Sequence, residues 1–176
     1  MKTLIILIAT INVAAAQWGQ PQSPAVPEAD GYVEIPNAAL APRKESTYRA
    51  IFDATRAADK PGQLLPALNM AGSELNALAA AAVPVQHAKF ALVFHGPAVD
   101  GILDDTHYKT KFGTSNPNLK VIAEMKKQGV EFFVCGQYLA SEKIDPKTLT
   151  PDVALAADAL LVLMQYQNMG YALMSF

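Results

Sequence analysis

The sequence predicts an α/β domain built on a mostly parallel sheet with helices on both faces. Three observations lead to that class. Short apolar runs alternate with helical patterns in the order β-α-β-α-β-α-β-α-β, which gives five strands. Runs such as KFALVF (Lys89 to Phe94) and VEFFVC (Val130 to Cys135) are continuously apolar instead of alternating, as strands covered on both sides are. Glycine or proline marks the junctions, at Pro84, Gly96-Pro97, Gly129, Gly136 and Gly170.

Taken in order, Arg49 to Thr55 (RAIFDAT) is the first strand. The helical stretch after it places Leu64, Leu68, Leu75, Leu78 and Ala82 close to helical spacing. Pro66 falls in its first turn, where the missing N–H costs little, and Pro84 ends it. Lys89 to Phe94 is the second strand, stopped by His95, Gly96 and Pro97. A helical turn from Ala98 to Leu103 and a polar loop through Lys111 follow, with Tyr108, Lys109 and Lys111 as surface. Asn116-Pro117 reads as a helix start, a capping side chain followed by proline at the first helical position. That helix carries Leu119, Ile122 and Met125 on one face and stops at Gly129. Val130 to Cys135 is the third strand, ended by Gly136, and a loop with a short helix passes Lys143 to Thr150. Val153 to Ala156 is a short fourth strand, and Asp158 caps an apolar helix from Ala159 to Met169. Gly170 stops it, and Tyr171 to Phe176 is the last strand. Met164, Met169 and Met174 read as core filling on this terminal segment.

Ahead of the domain the chain has two other textures. Residues 1–16, MKTLIILIATINVAAA, place Lys2 before an apolar run and end in three alanines. The run is too short for a bilayer span, which takes roughly 20 apolar residues. It therefore reads as a secretory signal peptide cleaved after Ala16, so the expected location is periplasmic or secreted. No cysteine sits just after the cleavage site to accept a lipid, so no membrane anchor is expected after signal removal. Residues 17–47 carry Pro21, Pro24, Pro27, Pro36 and Pro42, which suits an extended arm over the domain or a neighbouring subunit. Residues 48–176 are then the α/β domain.

Charge excludes one class of partner. Removal of the leader takes away a single lysine and leaves 16 acidic residues in slight excess, with no basic stripe, so nucleic acid is not expected. There is no Gly-rich phosphate loop after the first strand and no Gly-x-Ser-x-Gly elbow. His87, His95, His107 and Cys135 lack tight ligand spacing, so no metal and no cofactor are expected. Asp104-Asp105 reads as a solvated loop pair.

In open parallel sheets, ligands bind outside the carboxyl ends of the strands. Two chemically capable residues stand at such ends, His95 after the second strand and Cys135 after the third. Cys135 is the sole cysteine, and three readings stand for it: inert core, a link between chains, or a working thiol. If the two strands are neighbours, turn amides after Cys135 and the His95 ring can assist the thiol. Gly136 would also let a ligand approach the backbone closely. A strand-end histidine merely bonded to its loop is the other reading.

At FHGPAVD (Phe94 to Asp100), NPNLKVIAEMKKQGVEFFVCGQ (Asn116 to Gln137) and QNMGYALMSF (Gln167 to Phe176), the chain resembles the DsrE/DsrF-like family, in its exported branch. The resemblance implies a three-layer α/β/α domain on a five-stranded parallel sheet, assembled as a trimer or hexamer. It also implies a sulfur carrier, in which Cys135 holds sulfur as a persulfide and exchanges it with donor and acceptor proteins. His95 would assist, and Gly96, Pro97, Asn116, Gly136 and Gln137 would border the ligand. Export and the proline-rich arm depart from the cytoplasmic relay proteins. Whether "enzyme" is the right word stays open, and the alternative is a non-catalytic oligomer that binds a small ligand or a protein, with Cys135 structural.

Overall fold

A computed structural model describes residues 18–176; the expected leader and its cleavage site lie outside the described residues. The parallel sheet is as expected. Strands β1 (Tyr48–Ala54), β2 (Ala88–Phe94), β3 (Glu131–Cys135), β4 (Ala154–Ala156) and β5 (Ala172–Ser175) lie in the order β4-β3-β2-β1-β5. Every pairing is parallel.

Five helices connect them: α1 (Pro66–Ala80), α2 (Asp105–Phe112), α3 (Asn118–Lys127), α4 (Gly136–Glu142) and α5 (Ala159–Asn168). From β1 to β4 the chain steps in one direction across the sheet, then crosses back to add β5 beyond β1. Crossovers of one hand place helices on one face while the direction holds, and on the other face once it reverses. Accordingly α1 and α3 pack on one face, where Leu68, Leu75, Ile122 and Met125 meet Phe52, Phe90, Leu92, Phe94 and Phe132. Helix α5 covers the opposite face, where Val162, Leu163 and Tyr166 meet Ile51, Ala91, Val93 and Cys135. Successive strand residues thus divide between two cores, which is why β1 to β3 read as unbroken apolar runs.

Several local expectations change. The polar stretch before Lys111 is helix α2, not a loop. Asp104 caps it by accepting the His107 N–H, and Gly113 (φ 73°) ends it in the left-handed conformation. Tyr108 is not surface: it is buried, and its hydroxyl donates to the Pro61 carbonyl at 2.7 Å. On α3 the buried residues are Asn118, Val121, Ile122 and Met125, with Leu119 half-buried. Helix α4, directly after Cys135, is additional to the short helix expected between Lys143 and Thr150, which is present as a 3-10 turn over Pro146–Thr148. Asp158 does cap α5, accepting the Leu160 N–H at 2.6 Å. Met164 and Met169 are not core; both are more than half exposed.

The proline-rich arm lies on its own domain. It doubles back through an antiparallel bridge between Gln22 and Tyr32, and the loop between them buries Val26 and Ala29 against α1. Asn76 of α1, itself fully buried, holds that loop like a strand partner. Its Oδ1 accepts from the amides of Ala25 and Val26, and its Nδ2 donates to the carbonyls of Val26 and Asp30. Gly72 leaves the room, since a Cβ there would sit 2.5 Å from that of Ala29. Among the described residues no helix is long and apolar enough to cross a membrane.

Candidate functional site

The topology singles out one point on the carboxyl edge of the sheet. The connection leaving β3 runs through α4, which buries Leu139 in the core beneath α1 and α3. The connection leaving the adjacent β4 runs through α5 on the other face. Neighbouring strands whose connections diverge to opposite faces leave a crevice between their carboxyl ends, the position where open α/β sheets bind ligands. Cys135, the last residue of β3, stands there.

Cys135 is 6% exposed and faces α5. Its Sγ accepts a hydrogen bond from the Ala159 N–H at 3.3 Å, in the first turn of α5. Such a bond strengthens when the sulfur is anionic, and the amide belongs to a helix start where N–H groups have no partner within the helix. The sequence-based expectation put the donors in the turn after Cys135; the donor comes instead from the far side of β4. Gly136 also has a different task from the one expected. A Cβ there would lie 2.7 Å from the Ala156 carbonyl oxygen, so the glycine admits β4 and not a ligand.

His95 stands beside it. Strands β2 and β3 pair with Phe94 opposite Val134, so the next residues, His95 and Cys135, are neighbours across the edge. Adjacent strands are roughly 4.8 Å apart. His95 stays extended (φ −154°, ψ 171°), so the alternation that points Val93 toward α5 carries on to it. On its other side His95 Nε2 lies 2.6 Å from Oδ1 of Asp53 on β1, and its backbone N–H donates to the Ala54 carbonyl. Asp53 pairs with Val93, one same-face step before His95, so Asp53, His95 and Cys135 form a diagonal row across three adjacent strands on the α5 face of the edge. Asp53 was missed from sequence. The signal available was a carboxylate near the end of RAIFDAT, a strand otherwise suited to burial.

The remaining expected site residues separate. Gly96 (φ 59°) and Pro97 make the turn that stops β2 and opens a 3-10 stretch to Ile102, with Pro97 exposed. Gln137 is exposed on α4, two residues beyond Cys135. Asn116 is buried and its amide is committed to the protein: Nδ2 donates to the carbonyls of Gly101 and Leu103, and Oδ1 accepts from the N–H and Nδ2 of Asn118. Asn118 Oδ1 in turn accepts the Leu65 N–H. This asparagine pair ties the loops after β1 and β2 to the start of α3 and so shapes the edge instead of lining a site. Asp105 is part of the same tie, accepting the Asn116 N–H.

Other polar groups border the edge, and one of them, Tyr138, packs against the cluster that holds Cys135. Lys111 pairs with Asp100 at 2.6 Å. The Tyr138 hydroxyl is held above its ordinary range by burial and by the nearby carboxylates of Glu142 and Asp100. His87 bonds the Lys44 carbonyl and His107 bonds Asp104, both away from Cys135 in sequence and in partners. Among the described residues no group of three His, Cys, Asp or Glu side chains is arranged to hold a metal ion. A cleft of about 570 Å³ between the arm and β5 is lined by Leu40, Arg43, Phe52, Phe90 and Met174, and by none of the row.

Residues 49–176 match the model of the DsrE/DsrF-like family. Among solved structures, the fold is similar to MTH1491, a protein of unknown function from Methanobacterium thermoautotrophicum. That similarity has a TM-score of 0.55 and 17% identity, over 73% of this chain and 99% of that one. It is also similar to the ychN protein from E. coli, with a TM-score of 0.53 and 17% identity over 74% of this chain and 100% of that one. At such identity the likeness speaks for the fold alone. No curated protein matches the chain.

Proposed function

Because the chain belongs to the DsrE/DsrF-like family, we propose that it is a cysteine-based sulfur carrier acting through Cys135. The observation that carries the reading is the placement of the sulfur. Cys135 Sγ sits in the crevice between diverging connections and accepts the Ala159 amide. In the uptake step the Cys135 thiolate attacks the outer sulfur of a hydropersulfide donor, RS–SH. A new S–S bond forms as the donor's S–S bond breaks, and the electron pair leaves on RS⁻. The proton given up by Cys135 ends on that leaving thiolate, so RS–SH and Cys135–SH become RSH and Cys135–S–SH with no external oxidant. Delivery to an acceptor is the same exchange in reverse sense.

Access shapes how the carrier works. With Cys135 6% exposed, transfer takes place when a partner protein or a local fluctuation opens the crevice over the sulfur. That same burial favours a second reading, a ligand- or protein-binding domain in which Cys135 only fills space. Alkylation of the folded protein separates the two. The carrier reading expects Cys135 to react with iodoacetamide under native conditions. Reaction only after unfolding supports the structural thiol.

Two further parts of the proposal concern setting. The chain assembles as a homo-oligomer, a trimer or hexamer, and the support is the exposed apolar face that Leu160, Leu161 and Met164 give α5, with Leu155 on β4 also exposed. It is exported, with cleavage after Ala16, on the strength of residues 1–16 read as a signal peptide.

A further inference from the structure

We infer that Asp53 is a positioning residue for the Cys135 chemistry: it fixes the tautomer and direction of His95, which relays the proton between Cys135 and the leaving thiolate. The inference rests on the carrier reading for the identity of that chemistry, but its geometry stands on the 2.6 Å contact between Asp53 Oδ1 and His95 Nε2.

An ionised carboxylate can only accept, so the contact requires Nε2 to carry the proton. A neutral His95 then keeps its lone pair on Nδ1, which makes no hydrogen bond within the described residues. Strand register makes the order meaningful. Asp53 lies on β1 opposite Val93, His95 lies one same-face step further along β2, and Cys135 is level with His95 on β3, so in strand order the histidine stands between carboxylate and thiol. Asp53 spends an oxygen on a ring nitrogen, in the arrangement that orients catalytic and metal-binding histidines elsewhere. Nδ1 takes the Cys135 proton as the thiolate forms and returns it to RS⁻ as the donor's S–S bond breaks. Asp53 stays ionised throughout and stabilises the transient imidazolium.

The test has two parts. First, ¹⁵N NMR of the wild-type protein reads the His95 tautomer directly: the proton is expected on Nε2, and a proton on Nδ1 at neutral pH overturns the inference. Second, the pH profile of Cys135 alkylation by iodoacetamide is compared for wild type, Asp53→Asn, His95→Gln and the double variant. Loss of the positioned base is expected to slow Asp53→Asn by at least ~10-fold at neutral pH. The double variant should then be no slower than His95→Gln alone, and Asp53→Glu should recover part of the rate. Wild-type rates in Asp53→Asn, or independent losses that multiply in the double variant, overturn the inference. Should the wild-type protein take up no sulfane sulfur while tautomer and coupling hold, the carrier reading fails and the positioning role stands.

Discussion

Cys135 and Ala159 meet through one hydrogen bond, 3.3 Å from amide nitrogen to sulfur, although 23 residues and a strand separate them in the chain. The bond joins the end of β3 to the start of α5. It makes the state of the sulfur depend on how α5 is seated.

Replacing Ala159 with proline deletes that donor at the helix position where proline is best tolerated. A net hydrogen bond of about 0.5–1.5 kcal/mol corresponds to roughly a 2- to 10-fold change in an equilibrium. Alkylation of Cys135 in Ala159→Pro is expected to fall by that factor at fixed pH, measured against a helix content that circular dichroism shows unchanged.

Asn69, Gln128 and Lys120 also bond the arm, but its buried loop hangs on Asn76, and Asn76→Leu should release it. Four backbone groups of the arm lose their partner. Leaving buried groups unpaired costs about 1–3 kcal/mol each, so the arm detaches before the full cost is reached. The expected result is a loss of at least ~2 kcal/mol in urea unfolding, together with new proteolytic cleavage within residues 18–47. Gly72→Ala should produce the same cleavage, because its Cβ would meet that of Ala29 at 2.5 Å.

Gly136→Ala forces a Cβ to within 2.7 Å of the Ala156 carbonyl oxygen. Overpacking of this kind costs typically about 1–3 kcal/mol. The variant should unfold at lower denaturant and, because β4 must shift, show altered native alkylation of Cys135.

Arm docking should also respond to pH. Glu28 of the arm is held below its ordinary range by its hydrogen bond to Lys120, while burial holds Glu124 of α3 above its own. Glu124 Oε2 is buried with no hydrogen-bond partner. A raised carboxyl contributes stability that is complete below its unfolded value and is lost as pH rises through the folded one. Glu124→Gln keeps the neutral form at every pH. It should therefore exceed wild type in stability near pH 8, with the difference disappearing toward pH 4 as Glu124 takes up its proton. Glu28 acts in the opposite sense, its contribution fading as pH falls below 4.5 toward its lowered folded value. Urea unfolding across that range reads both.

Much of the fold could be read from the chain because its signals are local. Continuous apolar runs gave the buried strands, Asn116-Pro117 gave the start of α3, and Asp158 and Gly170 bracketed α5. Helix α2 was hidden because it buries only Tyr108, so its apolar residues show no period and only the Asp104 cap marks it. Met164 and Met169 misled because α5 is apolar around most of its surface while one side faces outward. For the site, strand ends were legible, which is why His95 and Cys135 were found. Asp53 and the Ala159 amide were not, since both depend on strand order: β1 beside β2, and β4 beside β3. Asn116 read as a ligand residue because its type and position fit one; only the loops folded around it show where its hydrogen bonds go.

The central claim is that Cys135 holds transferable sulfur, and intact mass spectrometry after incubation with inorganic polysulfide tests it most directly. Wild type should gain about 32 Da for each sulfur atom, reversed by dithiothreitol, and Cys135→Ser should gain nothing. A wild-type mass that stays unchanged, with Cys135 alkylated only after unfolding, would contradict the carrier and leave the thiol as part of the core beneath α5.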